Sequence, residues 1–130
     1  MARILIAEDE EPVRALVARA LASDGHEVVT AADGAEALDK LQAAGGAFDL
    51  LLTDIKMPVM DGLALALATA RDFPKLPILL MTGFADQRER ANDLAQVIRD
   101  VVLKPFTLQQ IRDAVGEALG EEKREAEKAA

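Results

Sequence analysis

Glu8, Asp9 and Asp54 stand at the ends of predicted strands, and Thr82 and Lys104 follow two more. Carboxylates gathered at one edge of a sheet repel each other, and a small hard cation relieves that repulsion. An aspartate beside such a cation can accept a phosphoryl group, because charge building on the transferred oxygens is neutralised there. A Thr hydroxyl and a Lys ammonium are the groups needed to hold those oxygens. These five residues read as a phosphorylatable switch.

The elements that must position them are legible as short apolar runs alternating with helical stripes. Ile4-Leu5-Ile6-Ala7 reads as a strand buried on both faces, and Pro12 falls in the first turn of the helix that follows, with Asp9 or Glu10 as its cap. Val13, Leu16, Val17, Ala20 and Leu21 repeat at helical spacing. The second strand is Val28-Val29-Thr30-Ala31, followed by a helix that starts at Asp33-Gly34 and carries Ala37, Leu38 and Leu41. Residues 48–53 give the strongest strand signal and end at Asp54; the loop to Gly62 holds two turn formers, Pro58 and Asp61-Gly62. A third helix carries Leu63, Leu65 and Leu67, Ile78-Leu79-Leu80-Met81 is a fourth strand, and residues 85–96 are a polar fourth helix. Val101-Val102-Leu103 is a fifth strand, and Leu108, Ile111, Val115 and Leu119 mark a last helix stopped by Gly120.

Strands alternating with helices five times predict an α/β fold, a doubly wound five-stranded parallel sheet with five helices. In such a sheet ligands bind outside the carboxyl ends of the strands, where all five polar residues fall. Residues 1–120 read as one domain, and residues 121–130 as a charged tail that either extends the last helix or is disordered.

Composition sets limits on function. At 130 residues the chain builds one compact domain, and its 51% hydrophobic content with four Phe and neither Trp nor Tyr requires an aliphatic core. A net charge of −8 argues against nucleic acid or an anionic membrane surface as a partner. The lack of Cys removes disulfides, thiolate metal sites and thiol catalysis. No apolar run reaches membrane-spanning length, and residues 1–7 lack the features of a signal peptide, so a cytoplasmic location is expected. His26, the single histidine, lies away from the site and is assigned no chemical role.

The combination of Ile-Leu-Ile-Ala-Glu8-Asp9-Glu10, Leu-Leu-Thr-Asp54-Ile-Lys-Met-Pro58-Val-Met-Asp61-Gly62, Met-Thr82-Gly83 and Leu-Lys104-Pro105-Phe106 resembles the receiver domain of bacterial two-component response regulators, over about residues 3–119. The resemblance implies the flavodoxin-like receiver fold, with Asp54 as phospho-acceptor. It further implies Mg2+ ligated by Asp9, Asp54 and the main-chain carbonyl of Lys56, with Glu8 acting through water. Thr82 and Lys104 would contact the phosphoryl oxygens, and the Lys104-Pro105 bond would be cis. Such a domain is a switch rather than an enzyme, catalysing only its own phosphoryl transfer and slow dephosphorylation. Its donor would be a sensor histidine kinase or a histidine phosphotransferase.

Three positions depart from the common receiver pattern. Val101 stands where an aromatic switch residue is usual, Phe84 is bulky where small or polar residues are frequent, and the acidic pair is Glu8-Asp9 instead of two aspartates. Phe84 is expected to shield an acyl phosphate from water. With no output domain read after residue 120, signalling is expected through protein contacts at the predicted fourth helix, fifth strand and last helix. The Glu8-Asp9 start, Thr82-Gly83-Phe84-Ala85 and Lys104-Pro105-Phe106 look like the CpdR subgroup of single-domain regulators. That likeness implies an adaptor for the ClpXP protease, active when unphosphorylated, and Ala129-Ala130 resembles the di-alanine ends such proteases recognise. The alternatives are a phosphorelay intermediate or a motility-type regulator binding another protein. A dehalogenase-type phosphatase would want a second Asp where Lys56 stands, and Glu8-Asp9-Glu10 would repel the phosphate of a flavin.

Overall fold

The computed structural model describes residues 2–83, 91, 94 and 96–129, with side chains described through Gly120. Five strands, β1 (Arg3–Ala7), β2 (Glu27–Ala31), β3 (Leu50–Asp54), β4 (Ile78–Thr82) and β5 (Asp100–Leu103), form one sheet in the order β2-β1-β3-β4-β5. Every pairing is parallel. Four helices are described: α1 (Glu11–Ser23), α2 (Gly34–Ala43), α3 (Gly62–Asp72) and α4 (Leu108–Ala129). The helix expected over residues 85–96 falls largely outside the described residues, as do Phe84 and Ala85.

The continuous apolar runs are explained by the two-residue alternation of strand side chains. Leu5 and Ala7 of β1, Leu51 of β3, and Ile78 and Leu80 of β4 face one core, closed by Ala37 and Leu41 of α2 and by Leu63, Leu65 and Ala66 of α3. Ile4, Ile6, Leu50, Leu52, Leu79 and Met81 face the other, closed by Val17 and Leu21 of α1 and by Ile111, Val115 and Ala118 of α4. The central strands are therefore buried on both faces from Ile4 to Ala7, Leu50 to Asp54 and Ile78 to Thr82, and apolar until their carboxyl ends, while the edge strands β2 and β5 are only partly buried.

Local chemistry fixes the element ends. Asp33 Oδ1 accepts from Glu36 N at 2.8 Å while Glu36 Oε2 accepts from Ala32 N at 3.0 Å, a reciprocal cap at the start of α2. Asp61 Oδ1 accepts from Ala64 N at 2.8 Å and starts α3. The expected side-chain cap of α1 is not formed; Glu10 occupies the cap position without such a bond. Gly120 does not stop the last helix, which continues to Ala129. One glycine costs about 1 kcal/mol in a helix, and the Glu, Lys, Arg and Ala residues beyond it are strong helix formers. His26 Nδ1 accepts from Ala2 N at 3.2 Å, next to the amino end of β2. No described helix is long and apolar enough to cross a membrane.

Gly116 lies in α4, where an added Cβ would meet open space. Gly116→Ala should stabilise the protein by about 0.5–1 kcal/mol by removing unfolded-state freedom, read as a higher denaturant midpoint at unchanged slope. A lower midpoint would count against a continuous helix at this position.

Candidate functional site

The chain reverses its direction of sheet growth between β1 and β3, and this switch point opens a crevice at the carboxyl edge. Ala7 pairs with Thr53, so the next residues along, Glu8 and Asp54, lie side by side at the carboxyl edge of the sheet. Asp54 pairs with Met81 and Thr82 with Leu103, which brings Thr82 and Lys104 to the same edge one step further out. The Lys104-Pro105 bond is cis, as the resemblance to receiver domains implies.

Glu8 is fully buried and Asp54 nearly so, whereas Asp9 is exposed. One carboxylate oxygen from each of Glu8, Asp9 and Asp54 lies within 4.8 Å of the others. Lys104 Nζ donates to Glu8 Oε1 at 2.9 Å and lies 3.3 Å from Asp54 Oδ2. Glu8 Oε2 accepts from Glu10 N at 3.2 Å, and Asp54 Oδ1 accepts from Ile55 N at 2.9 Å. Thr82 is buried, and its main-chain carbonyl accepts from Lys104 N at 2.7 Å. Lys56 lines the same crevice as Asp9, Asp54, Gly83 and Lys104.

Burial pushes the Glu8 carboxyl up to about 7, opposed by the Lys104 hydrogen bond and reinforced by the Asp54 charge. Asp54 is also raised, again chiefly by burial, with Lys104 pulling the other way. Burial alone would lower Lys104, but its bonds to Glu8 and Asp54 outweigh that and raise it. The site is thus a desolvated acid pair sharing one ammonium, with a third carboxylate at the solvent rim. A hard cation with oxygen ligands fits this donor set, because three carboxylate oxygens already lie close enough to share it.

The raised Glu8 value sets a sign for pH dependence. Its ordinary value is 4.5, so between about 4.5 and 7 the folded chain holds a proton that the unfolded chain has lost. Stability of the metal-free protein should therefore fall as pH rises through that window. The expected drop between pH 5 and 8 is on the order of 1–3 kcal/mol. Glu8→Gln keeps an oxygen for Lys104 and cannot ionise, so its denaturation midpoint should vary less with pH; an unchanged slope would place the titration elsewhere.

The crevice has a volume of about 660 Å³, and its far wall is apolar, built from Val13, Leu16 and Val17 of α1 with Pro105 and Phe106. Leu16, expected in the buried stripe of α1, is instead 51% exposed at this wall. Val13, Val17 and Leu21 suffice to hold α1 on the sheet, and periodicity alone does not show that Leu16 lies at the edge of the stripe.

Two glycines shape the β3–α3 loop. A Cβ on Gly62 would lie 1.9 Å from the carbonyl oxygen of Asp54, and one on Gly34 would lie 2.4 Å from that of Met60. Their own N–H groups bind the loop, Gly62 N to Ile55 O at 2.7 Å and Gly34 N to Met60 O at 3.0 Å. Gly62 reads from sequence only as a turn former, and Gly34 as a helix start. The close approaches come from packing of the loop against two helix starts.

Comparison with known proteins agrees with this geometry. Residues 4–116 match the family model described as response regulator receiver domain. The response regulator receiver protein CpdR of Brucella abortus (strain 2308) is 41% identical over 117 residues, covering 90% of this chain and 93% of that one. The sensor kinase CckA of the same organism is 36% identical over 118 residues; the match takes in 91% of this chain but only 12% of CckA. The crystal structure of response regulator protein TrrA from Thermotoga maritima, in complex with Mg2+ and BeF, superposes with a TM-score of 0.80 at 30% identity, covering 91% of this chain and 99% of that one. With a buried strand-end aspartate, flanking acids, a bridging lysine and a family match across nearly all of its length, the chain belongs to the response regulator receiver domain family.

Proposed function

We propose that this chain acts as a response regulator receiver, phosphorylated on Asp54 in a Mg2+-dependent manner, which signals through phosphorylation-controlled protein contacts. The observation that carries the reading is the gathering of Glu8, Asp9 and Asp54 oxygens within 4.8 Å at the mouth of a crevice. Asp9, Asp54 and the Lys56 carbonyl would hold Mg2+, with Glu8 acting through water, and the bound ion would neutralise charge on the transferred oxygens. An Asp54 carboxylate oxygen attacks the phosphorus of a phosphohistidine or acyl phosphate. The bond from phosphorus to the donor nitrogen or oxygen breaks, and its electron pair leaves with the donor. Lys104 offsets the charge that arrives, and the Thr82 hydroxyl takes a phosphoryl oxygen. The phosphodonor protein is a sensor histidine kinase or a histidine phosphotransferase, and the switch operates in the cytoplasm with residues 1–120 as receiver and 121–130 as charged tail.

The likeness to CpdR supports a finer reading, an adaptor for ClpXP that acts with Asp54 unmodified. The likeness to a segment of CckA favours a second reading, passage of the phosphoryl group along a relay. Intact mass after incubation with acetyl phosphate and Mg2+ tests the first step. One phosphoryl group should appear on the parent, and none on Asp54→Asn or after chelation. Phosphorylation of the Asp54→Asn chain would remove the assignment. Pull-down of ClpX by the untreated chain but not by its beryllofluoride complex supports the adaptor; phosphoryl return to a partner histidine supports the relay.

A further inference from the structure

We infer that Arg14 is a positioning residue for the acidic cluster, holding the turn between β1 and α1 that carries Glu8 and Asp9. This inference rests on the reading of that cluster as a cation site. Arg14 Nη1 donates to the main-chain oxygen of Glu8 at 2.8 Å, reaching back from the start of α1 to the end of β1. Glu8 N donates to Ala31 O at 3.1 Å, so both main-chain polar groups of Glu8 are tied, one to β2 and one to Arg14. Its carboxylate is held separately by Lys104 Nζ and Glu10 N. Two cations therefore bracket one acid, Lys104 on the side-chain side and Arg14 on the main-chain side.

The local structure explains why such a brace is needed. α1 starts without a side-chain cap, and Pro12 in its first turn donates no N–H. Asp9, one residue before the cap position, is the exposed member of the acidic cluster. A cation near a helix N-terminus is opposed by the helix dipole, so Arg14 sits where a helix-forming sequence has no reason of its own to place one. Its charge-assisted bond to Glu8 O gives that position a structural return. Arg14 does not line the crevice; it acts through the backbone that aims Asp9.

The test uses the full chain with Arg14→Ala and Arg14→Lys. Mg2+ affinity is measured by calorimetry, and amide hydrogen exchange at Glu10 and Glu11 is followed in metal-free protein. Arg14→Ala should weaken Mg2+ binding roughly 10-fold, as loss of a partner behind a metal ligand does, and should speed exchange at both amides. Arg14→Lys, which can still donate to Glu8 O, should recover most of both losses and remains decisive if the alanine variant folds poorly. Parent-like Mg2+ affinity in Arg14→Ala overturns the inference, as does parent-like exchange. If the parent itself fails to bind Mg2+, the cation reading fails, while the exchange comparison still decides whether Arg14 holds the turn.

Discussion

Replacing Lys104 with Met should destabilise the metal-free protein at pH 8 by about 2–4 kcal/mol, with most of that loss absent at pH 5. Met preserves the apolar stem and its packing, so the change isolates the ammonium. Nζ lies 2.9 Å from Glu8 and 3.3 Å from Asp54, with side-chain exposures of 22% for Lys104, none for Glu8 and 7% for Asp54. Removing one partner of such a buried pair leaves an uncompensated charge and typically costs about 3–5 kcal/mol. Part of that is recovered because the acids take up a proton instead of remaining charged.

The pH dependence follows from the sign of the shifts. Burial already raises both carboxyls, and Lys104 is a main influence holding each of them down. Without it both rise further, so the folded state holds protons to higher pH and stability falls more steeply between pH 5 and 8. Added Mg2+ should restore more stability to Lys104→Met than to the parent, because removing the competing ammonium lets the carboxylates bind the cation more tightly, and a ligand that binds only the folded state stabilises by the logarithm of its concentration over Kd. Urea denaturation at the two pH values, with and without Mg2+, checks both points. A uniform offset, equal at pH 5 and pH 8 and unmoved by Mg2+, would show that Lys104 contributes packing and not charge compensation.

The parts of this site that could be read from sequence are those set by local pattern. β1, β3 and β4 are buried on both faces, so their apolar runs stand out, and a parallel sheet necessarily carries the residues after each run to one edge. Glu8, Asp54 and Lys104 follow directly from that geometry. What escaped is set by contacts between distant segments. Gly34 is needed because the loop of another strand packs against it, which no local rule contains. Gly120 obeys no local stop rule because the residues around it outweigh a single breaker. The split between buried Glu8 and exposed Asp9 depends on how the chain turns into α1, and the role of Arg14 in that turn has no signature in the spacing. Val101, standing where receivers usually carry an aromatic, is half-buried against the core shared with α2 and α3. At that position it contributes packing and has no ring to swing.

Gly62→Ala should cost more than about 3 kcal/mol and slow phosphorylation of Asp54 at least tenfold. The argument is steric, since Gly62 needs no left-handed backbone. Its added Cβ would lie 1.9 Å from Asp54 O, 2.8 Å from Asp54 C and 2.9 Å from Ile55 Cα, all of them main-chain atoms that no side-chain rotation can move. Overpacking a core usually costs about 1–3 kcal/mol. Here the shift must also disturb the 2.7 Å bond from Gly62 N to Ile55 O, whose loss adds about 1 kcal/mol. The same loop carries Val59 at φ 68°, a strained conformation for a β-branched residue, which persists only while the loop ends are held. Loosening the Gly62 end therefore moves the main chain of Asp54 and relaxes the loop together. Positional error of about 1 Å at a reacting group is enough for losses of this size. The measurement is a pair of thermal melts beside acetyl-phosphate labelling rates, with Gly116→Ala as the control in which a methyl enters open space. Should Gly62→Ala melt and label like the parent, the loop does not press on Asp54, and the acceptor is held by the strand alone.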